Sequence, residues 1–420
     1  MLTLLIFIAC YTCFIIFPNY KTWVSIVGAV SLILFQELTW LEALQEIQWN
    51  VMGLFIGTLF LAELFMFSRV PAVIAEWLVV RSKTVRSALI KVLILASIIS
   101  MFVENVAVVL LIAPVALAIC EKLKISPVIP LILLAMFSNL QGTATLIGDP
   151  PSMILGSYLK MSFGDFFFYE GKPSIFFIVQ IGAFFTLLLT FYLFRHYKQA
   201  IQIINVEEVI SWIPSLLLGL LIVILACFSQ FDKDSQWLAG STAMVLAIVG
   251  LIWHHFGPRW QSTTKIIKSL DWQTTLFLMA LFVLVGSIRL AGWMDALALW
   301  IVAHIPSNLL IIYLFIMSIS ILVSAFVDNV PYLIAMIPVV QNIANTMQFP
   351  LPLLVFSLLI GTCLGGNITP IGASANIVAI SFLEKNGYAI TFPRYVLIGL
   401  IFTAFAVIPA AIALWMIWSS

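Results

Sequence analysis

The sequence has 420 residues, of which 63% are hydrophobic and only 9% are charged, and its mean hydropathy is +1.17. An ordinary soluble domain has about 25% charged residues, so this composition excludes that class. The formal net charge of +1 gives no electrostatic basis for nucleic-acid binding, and we expect no nucleic-acid partner.

Apolar segments of helix-spanning length recur from one end of the chain to the other. A bilayer core about 30 Å thick needs roughly 20 apolar residues in a helix. In chain order the apolar segments lie near residues 2–17, 22–36, 49–68, 88–120, 127–160, 174–194, 209–229, 236–254, 271–290, 308–346, 350–384 and 394–418. This pattern predicts an all-α polytopic membrane protein in contact with the lipid bilayer.

Two of these segments, 88–120 and 308–346, are too long for one spanning helix and too short for two spans joined by a turn. Each is interrupted by a polar tripeptide, "ENV" at 104–106 and "DNV" at 328–330. We therefore expect two re-entrant helical hairpins, each with its polar tripeptide at the tip.

Two further segments, 127–160 and 350–384, are interrupted by "SNLQGTATLIGDPPS" and "GTCLGGNITPIGASAN". Glycine and proline at this density unwind a helix. Irregular backbone at membrane depth is tolerated only where protein or a water-filled cavity surrounds it. The sequence therefore predicts two broken helices that line a cavity.

The two halves of the chain resemble each other. "FVENVAVVLLIAPV" at 102–115 matches "FVDNVPYLIAMIPV" at 326–339, and the separation of 224 residues also aligns the two glycine-rich breaks without a gap. This is the pattern of an internal duplication. We predict a first transmembrane repeat over 1–200 and a second over 201–420, joined by the polar stretch near 195–211.

The orientation follows from counting spans and charges. If neither hairpin crosses the membrane, each half crosses five times, and the odd number inverts the second five-helix repeat. Of the 19 lysines and arginines, fifteen (Lys21 among them) then lie on one face, and four lie on the other, at Lys160, Lys172, Lys233 and Arg289. Positive loops remain in the cytoplasm. We therefore predict a multi-pass protein of the cell (inner) membrane with both termini outside and the hairpin tips meeting near the midplane.

The hairpin tips and the helix breaks carry the candidate ion-binding residues, because unwound helix ends and side-chain oxygens bind ions in such folds. These candidates are Glu104, Asn105, Asp328, Asn329, Thr143, Thr145, Asn367, Thr369, Ser374 and Asn376. The backbone of the breaks depends on Gly142, Gly148, Gly366 and Gly372. The candidate Na⁺ ligands are Asn105, Thr143, Asn329 and Asn367, and no cofactor beyond a bound Na⁺ is expected.

Two other acidic residues have two interpretations each. Asp149 in "GDPP" either caps a helix that starts with proline or joins a proton relay, and its counterpart in the second half is Ala373. Glu63 lies in mid-span opposite Val285 and is either a proton-relay group or a helix–helix hydrogen bonder. Intramembrane ionisable residues are functional candidates by default, so both remain candidates.

At these motifs the sequence resembles the ion transporter superfamily, which includes arsenite permeases, D-type sodium/proton antiporters, the P-protein group and citrate and dicarboxylate symporters. The resemblance covers nearly the whole chain and is carried by "GTATLIGDPPSMI" (142–154), "FVDNVPYLIAMIPV" and "GGNITPIGASANIV". It implies an inverted-repeat fold in which two re-entrant hairpins and two broken helices form the site. It also implies homodimers and elevator-like alternating access.

The hairpin tips depart from one branch of this superfamily. The divalent-anion symporters carry Ser-Asn-Thr at each tip, whereas this chain has "ENV" and "DNV", and two acids there would repel a citrate-like dianion. The prediction is a secondary transporter that exchanges a cation, Na⁺, for protons. The alternatives are an efflux permease for arsenite or another small oxyanion, and a sodium-coupled carboxylate or anion transporter.

The partners of such a protein are a small inorganic ion and H⁺ or Na⁺. No HExxH, GxSxG or histidine-rich cluster occurs in the sequence. These patterns are typical of intramembrane or hydrolytic enzymes, so we predict that the protein is not an enzyme.

Overall fold

A computed structural model describes residues 1–17, 20–199, 208–228, 237–257 and 263–419. Over these ranges the chain is almost entirely α-helical, as the hydropathy pattern predicts. The predicted boundary between the repeats, at residues 200 and 201, falls outside the described ranges, as do two basic residues used to predict orientation, Lys233 and Arg259.

The first series of helices ends with a long apolar helix that follows a small β-hairpin. Its helices are α1 Leu2–Ile16, α2 Lys21–Leu34, α3 Trp40–Glu46, α4 Trp49–Phe67, α5 Val70–Val80, α6 Val85–Ser100, α7 Asn105–Lys122, α8 Val128–Gly142, α9 Pro150–Tyr158 and α10 Ile175–Leu193. The strands β1 Phe168–Tyr169 and β2 Lys172–Pro173 pair antiparallel between α9 and α10.

The second series repeats the order of the first. Its helices are α11 Ile213–Phe228, α12 Leu238–Phe256, α13 Thr263–Ser269, α14 Trp272–Leu290, α15 Trp293–His304, α16 Leu309–Ser324, α17 Asn329–Met347, α18 Leu351–Gly365, α19 Ser374–Lys385 and α20 Phe392–Trp418. Helices α16, α17 and α19 begin 224 residues after α6, α7 and α9 respectively. The separation found in the sequence is thus also the separation between equivalent helices.

Several helices have the dimensions of membrane spans. Seven in the described part of the chain are long and apolar enough to cross a bilayer: α4, α7, α12, α14, α17, α20, and α10 with the turn that follows it. Eight shorter apolar helices accompany them, including α1, α2, α8 and α18. The chain is therefore a multi-pass membrane protein, as predicted.

Two apolar helices, α5 and α15, were not expected from the sequence. They contain 11 and 12 residues. A helix of that length rises less than 20 Å, well short of the bilayer core. Both helices are shorter than a membrane span, so the hydropathy pattern does not predict them. They occupy equivalent positions after α4 and α14.

Long helices of the first series pack against long helices of the second, and we call these the exchanged pairs. Helix α4 lies along α12, α2 lies along α14, and α10 lies along α20. A Cβ on Gly57 of α4 would lie 2.5 Å from the Ala243 backbone of α12, so these two helices approach at backbone distance. Small residues permit such close packing between membrane helices. These exchanged pairs form a framework that belongs to neither series alone.

The centre of the molecule is built from helices that are apolar on every side. In α8, every residue from Pro130 to Gly142 is buried, and in α18 every residue from Leu353 to Gly365 is buried. A helix that is hydrophobic all round is a core helix. Helices α6 and α7 pack on α8, helices α16 and α17 pack on α18, and α19 crosses to α7 and α8. This core brings the polar interruptions of both series together.

Candidate functional site

Two acidic residues cap the helices that follow the chain reversals. Glu104 is the N-cap of α7, and its Oε2 accepts a hydrogen bond from the Ala107 N–H at 3.0 Å. Asp328 is the N-cap of α17, and its Oδ1 accepts one from the Val330 N–H at 3.2 Å. Their backbones nearly coincide, with φ −51°, ψ 136° and φ −51°, ψ 139°. A carboxylate is favourable at a helix N-terminus, so both acids are held in place locally.

The asparagine beside each acid is tied to the helix that precedes the reversal. Ser100 Oγ donates to Asn105 Oδ1 at 2.7 Å. In the second series Ser324 Oγ is hydrogen-bonded to the Asn329 side-chain amide at 2.5 Å. Each serine oxygen also lies within hydrogen-bond distance of a backbone carbonyl of the adjoining core helix, 2.9 Å away in the first series and 2.5 Å away in the second. The two tips are therefore built by the same set of contacts.

Glycine is required where each asparagine meets a broken helix. A Cβ on Gly142 would lie 2.4 Å from Asn105 Oδ1, and a Cβ on Gly366 would lie 2.8 Å from Asn329 Oδ1. Real Cβ atoms do not approach other atoms so closely, so a side chain here would displace the amide. Two other predicted glycines also approach backbone too closely for a Cβ, namely Gly148 and Gly372.

Two threonines connect the breaks to the reversals. Thr145 Oγ1 donates to the Met101 carbonyl, and Thr369 Oγ1 donates to the Ala325 carbonyl. Both threonines are buried. A hydroxyl that donates its proton keeps lone pairs that accept bonds or coordinate a cation. These side chains therefore fix each break to the chain reversal before α7 or α17, and they remain candidate oxygen ligands.

Three asparagines join the two breaks to each other. Asn139 Nδ2 donates to Asn367 Oδ1 at 2.8 Å and to Asn376 Oδ1 at 3.1 Å. Asn376 Nδ2 in turn donates to the carbonyls of Gly366 at 2.9 Å and Thr369 at 3.1 Å. All three amides are buried. The network satisfies carbonyls that the unwound backbone of α18 leaves free, which is why amide side chains occur there.

Asp149 caps α9, which starts with Pro150. Its Oδ1 accepts from the Ser152 N–H at 3.1 Å, as the capping interpretation predicts. The same residue also lines the central cavity. Beside it lie Cys363, a buried thiol from the other break, and Thr143, whose hydroxyl donates to the Asn139 carbonyl at 3.1 Å.

A cavity of about 80 Å³ lies between the starts of α7 and α17 and the starts of α9 and α19. Four acidic residues and one lysine are among the residues that line it: Glu104, Asp149, Asp271, Asp328 and Lys21. The volume suits a few water molecules or a partly hydrated small ion. The cavity is strongly acidic for a site enclosed by apolar helices.

The structure brings most of the predicted residues to one place. Glu104, Asn105, Asp328, Asn329, Asp149 and Ser374 line the cavity. Thr143, Thr145, Asn367, Thr369 and Asn376 are buried in the breaks behind it. Glu63 does not line this cavity; its Oε1 accepts a hydrogen bond from Ser269 Oγ at 2.7 Å. That contact links α4 to α13, so Glu63 acts as a hydrogen bonder between helices.

Sequence reasoning missed a lysine of the site. The charge distribution predicts that Lys21 lies in a loop on the cytoplasmic face. In the structure it begins α2, and its Nζ forms an ion pair with the Asp328 carboxylate. A lysine between two apolar runs looks like a connecting turn, and nothing local indicates a partner 307 residues away.

The serines and Asn139 left signals in the sequence. Ser100 and Ser324 precede the tips in "SMFVEN" and "SAFVDN", which repeat at the 224-residue separation. Each serine lies two residues before the start of its matched motif, at Phe102 or Phe326. Asn139 lies within "SNLQGTATLIGDPPS" in the first half. Its counterpart in the second half is Cys363, so the repeat gives no signal for this asparagine.

An apolar multi-pass bundle with two broken core helices around a polar cavity is the architecture of a membrane transporter. The sequence profile described as "Citrate transporter" matches residues 11–361 and, in a second match, 234–420. The chain belongs to this citrate transporter family, within the ion transporter superfamily that the motifs predicted.

Curated relatives and a solved structure agree with this assignment. A 46 kDa membrane protein of Mycobacterium leprae is 30% identical over 379 residues, covering 88% of this chain and 86% of the relative. The human P protein is 28% identical over 389 residues, covering 74% of this chain and 46% of the P protein. The crystal structure of the YdaH transporter of Alcanivorax borkumensis has a TM-score of 0.60 at 14% identity, covering 92% of this chain and 88% of that one. Several other relatives are named transporters, including one from Mycobacterium tuberculosis. The protein is therefore a transporter and not an enzyme.

Proposed function

We propose that the protein is a secondary active transporter of the inner membrane that exchanges Na⁺ for protons by alternating access. The observation that carries this proposal is the convergence of two acid-capped helix starts, at Glu104 and Asp328, on one small cavity. A buried carboxylate can hold either a proton or a cation, and the two compete for it. That competition is the basis of exchange.

The charges around the cavity favour a cation over a multivalent anion. Four carboxyl groups line it, while its lysine is already paired with one of them. Like charges that line one small cavity repel each other strongly when the surroundings have a low dielectric constant. A citrate-like trianion would therefore meet net repulsion, whereas a small cation would be attracted.

Oxygen ligands for Na⁺ are available close to the acids. The proposed ligands are the side chains of Asn105, Thr143, Asn329 and Asn367, with carbonyls of the breaks beside them. Hard cations select oxygen ligands of this kind. The proposal includes no cofactor beyond the bound Na⁺.

We further propose that the two helix series are inverted five-span repeats, each with one re-entrant hairpin and one broken helix. The matching caps at Glu104 and Asp328 and the exchanged pairs α4–α12 and α2–α14 support this arrangement. In the proposed topology both termini lie outside, and the assembly is a homodimer, as the resemblance to the superfamily implies.

A difference between equivalent positions supports alternating access. Ile147 and Met153 in the first series are 1% and 3% exposed, whereas their counterparts Ile371 and Ile377 are 49% and 48% exposed. Helix α9, which carries Met153, packs against α4, α17 and α18. If the two series exchanged their packing, Ile371 and Ile377 would become buried and the equivalent residues of the first series would become exposed. That exchange is the proposed transport motion.

The proposed function is tested in proteoliposomes that contain a pH-sensitive dye. After a proton gradient is imposed, Na⁺, Li⁺, K⁺, citrate or arsenite is added in separate trials. We expect Na⁺ or Li⁺ to collapse the gradient, and empty liposomes give the background. A response to citrate or arsenite alone would sink the cation-exchange proposal.

The second candidate is a sodium-coupled carboxylate transporter, which the description of the matching family favours. In that case uptake of labelled citrate would depend on Na⁺ and would persist without a proton gradient. An efflux permease for arsenite or another small oxyanion is the remaining alternative, and the arsenite trial identifies it.

A further inference from the structure

The ion pair between Lys21 and Asp328 connects two different parts of the molecule. Lys21 begins α2, which packs along α14 in the framework, whereas Asp328 caps α17 at a hairpin tip. The Lys21 ammonium also lies 5.0 Å from the centre of the Phe277 ring on α14. Close by, Tyr11 Oη on α1 donates to the Pro331 carbonyl at 2.7 Å. The start of α17 is therefore held by α1, α2 and α14.

The pair is shielded from solvent on most of its surface. The Lys21 and Asp328 side chains are 25% and 27% exposed, and what remains open borders the cavity. An ion pair at this depth gains more from its Coulomb attraction than an exposed pair does. Breaking it without a replacement leaves a partly buried carboxylate uncompensated, which is strongly unfavourable.

The equivalent acid has no such partner. Glu104 pairs with no cationic side chain in the part of the chain that the structure describes, and its bond is to the Ala107 N–H of its own helix. Lys21 is the one cationic side chain among the described residues that line the cavity. Of the two acids that cap α7 and α17, Asp328 is thus already paired with a cation, whereas Glu104 is not.

We infer that Lys21 is a tethered competitor of the transported cation at Asp328. Its ammonium fills the cation position in this conformation, and an incoming cation binds Asp328 only by displacing it. Because Lys21 belongs to the framework and Asp328 to the hairpin, the displacement also releases the hairpin from α2. Ion binding is thereby coupled to the freedom of the hairpin to move. This inference rests on the proposed cation exchange, and it adds Lys21 to the site.

The test is equilibrium binding of radioactive Na⁺ to the purified protein at constant pH and ionic strength. Lys21→Gln removes the competitor, so the Na⁺ dissociation constant is expected to fall about tenfold. Lys21→Arg keeps the charge, so its Na⁺ dissociation constant is expected to stay well above that of Lys21→Gln. Lys122→Gln, an exposed lysine at the far end of α7, is the matched control and is expected to change nothing. Unchanged or weaker Na⁺ binding by Lys21→Gln overturns the inference.

A chemical rescue sharpens the result. In Lys21→Ala, methylammonium is small enough to occupy the vacated position, so adding it should weaken Na⁺ binding toward the wild-type value. Choline at the same concentration is the control, because its head group is too large for the position that the Lys21 ammonium leaves beside Asp328. Equal effects of methylammonium and choline would contradict a competing ammonium at Asp328.

A double variant keeps the inference testable if Lys21→Gln does not fold. Lys21→Gln combined with Asp328→Asn removes both charges, and its Na⁺ affinity should equal that of Asp328→Asn alone, since Lys21 acts only through Asp328. A difference between these two variants contradicts the inference. A wild-type protein that neither binds nor moves Na⁺ contradicts the proposed function itself, so the two failures are distinguishable.

Discussion

At the scale of single residues, the two acids of the site are equivalent in sequence position but not in surroundings. Both cap helices with nearly the same backbone geometry. Asp328 is paired with Lys21, whereas Glu104 bonds only within its own helix start. The repeat therefore creates two carboxylates, and one lysine outside the repeat pattern makes them different.

The first prediction concerns the charge of these acids. Glu104→Gln and Asp328→Asn are each expected to lower Na⁺-dependent proton flux at least about tenfold, because each removes a charge at the cation site. Glutamine and asparagine keep an oxygen that can accept the cap bond, so both helix caps should be preserved. Glu121→Gln, at the exposed end of α7, is the control. Unchanged flux and an unchanged pH profile in both variants would remove the proposed exchange role.

The second prediction concerns the contact between a tip and a break. Gly366→Ala places a Cβ 2.8 Å from Asn329 Oδ1, and overpacking of this kind costs about 1–3 kcal/mol. We expect a lower melting temperature of the purified protein and a loss of transport. Gly219→Ala in α11 is the matched control, since its Cβ meets no atom within 4 Å. Equal melting temperatures for the two variants would show that the close approach is not needed.

At the scale of elements, the chain uses helix starts to build its site. The caps of α7, α9 and α17 all point carboxylates into one cavity. Each cap satisfies an N–H that the helix would otherwise leave unbonded. The same side chain can thus stabilise the helix and present charge to an ion, so a structural role does not exclude a functional one.

Asp149 gives the third prediction, because its two interpretations respond differently to substitution. Asp149→Ala removes the cap of α9 and is expected to destabilise the protein by about 1 kcal/mol. Asp149→Asn keeps the cap, so stability and transport should both stay near the wild-type values if capping is its role. Melting temperature and Na⁺-dependent flux are measured on the same preparations. A stable Asp149→Asn protein without flux would assign Asp149 to proton transfer instead.

At the scale of the whole molecule, the two helix series share a plan but occupy different environments. Equivalent positions near the breaks, such as Met153 and Ile377, are buried in the first series and exposed in the second. Contacts that cross between the series, such as Arg289 Nη2 to Glu46 Oε1 at 2.6 Å, lie at the opposite end of α14 from Asp271 and the cavity. The cavity and this ion pair therefore lie at opposite ends of α14.

The fourth prediction tests this difference by thiol labelling. In a background without Cys13 and Cys227, Ile377→Cys should react with a membrane-impermeant thiol reagent in inside-out vesicles. Met153→Cys should stay unlabelled in the same vesicles, because the native residue is 3% exposed. Equal labelling of both positions, or of neither, would contradict this difference in exposure between the two series.

Much of the plan of the molecule was predictable from sequence. Long apolar runs identified the membrane class, and their polar interruptions located the tips and breaks. The 224-residue repeat paired "ENV" with "DNV", and it also paired the glycines that the close approaches require. These features are local in the chain, because an unpaired polar group in an apolar run is costly wherever the run is finally placed.

Only the tertiary structure decided which distant residues meet. The pairing of Lys21 with Asp328, the bridge from Asn139 to Asn367 and Asn376, and the bond from Ser269 to Glu63 all join residues more than 200 positions apart. Core helices that are apolar on every side give no periodic signal of which face turns toward which neighbour. Those directions depend on close packing between whole helices, so the charge balance of the cavity emerged only once the helices were in place.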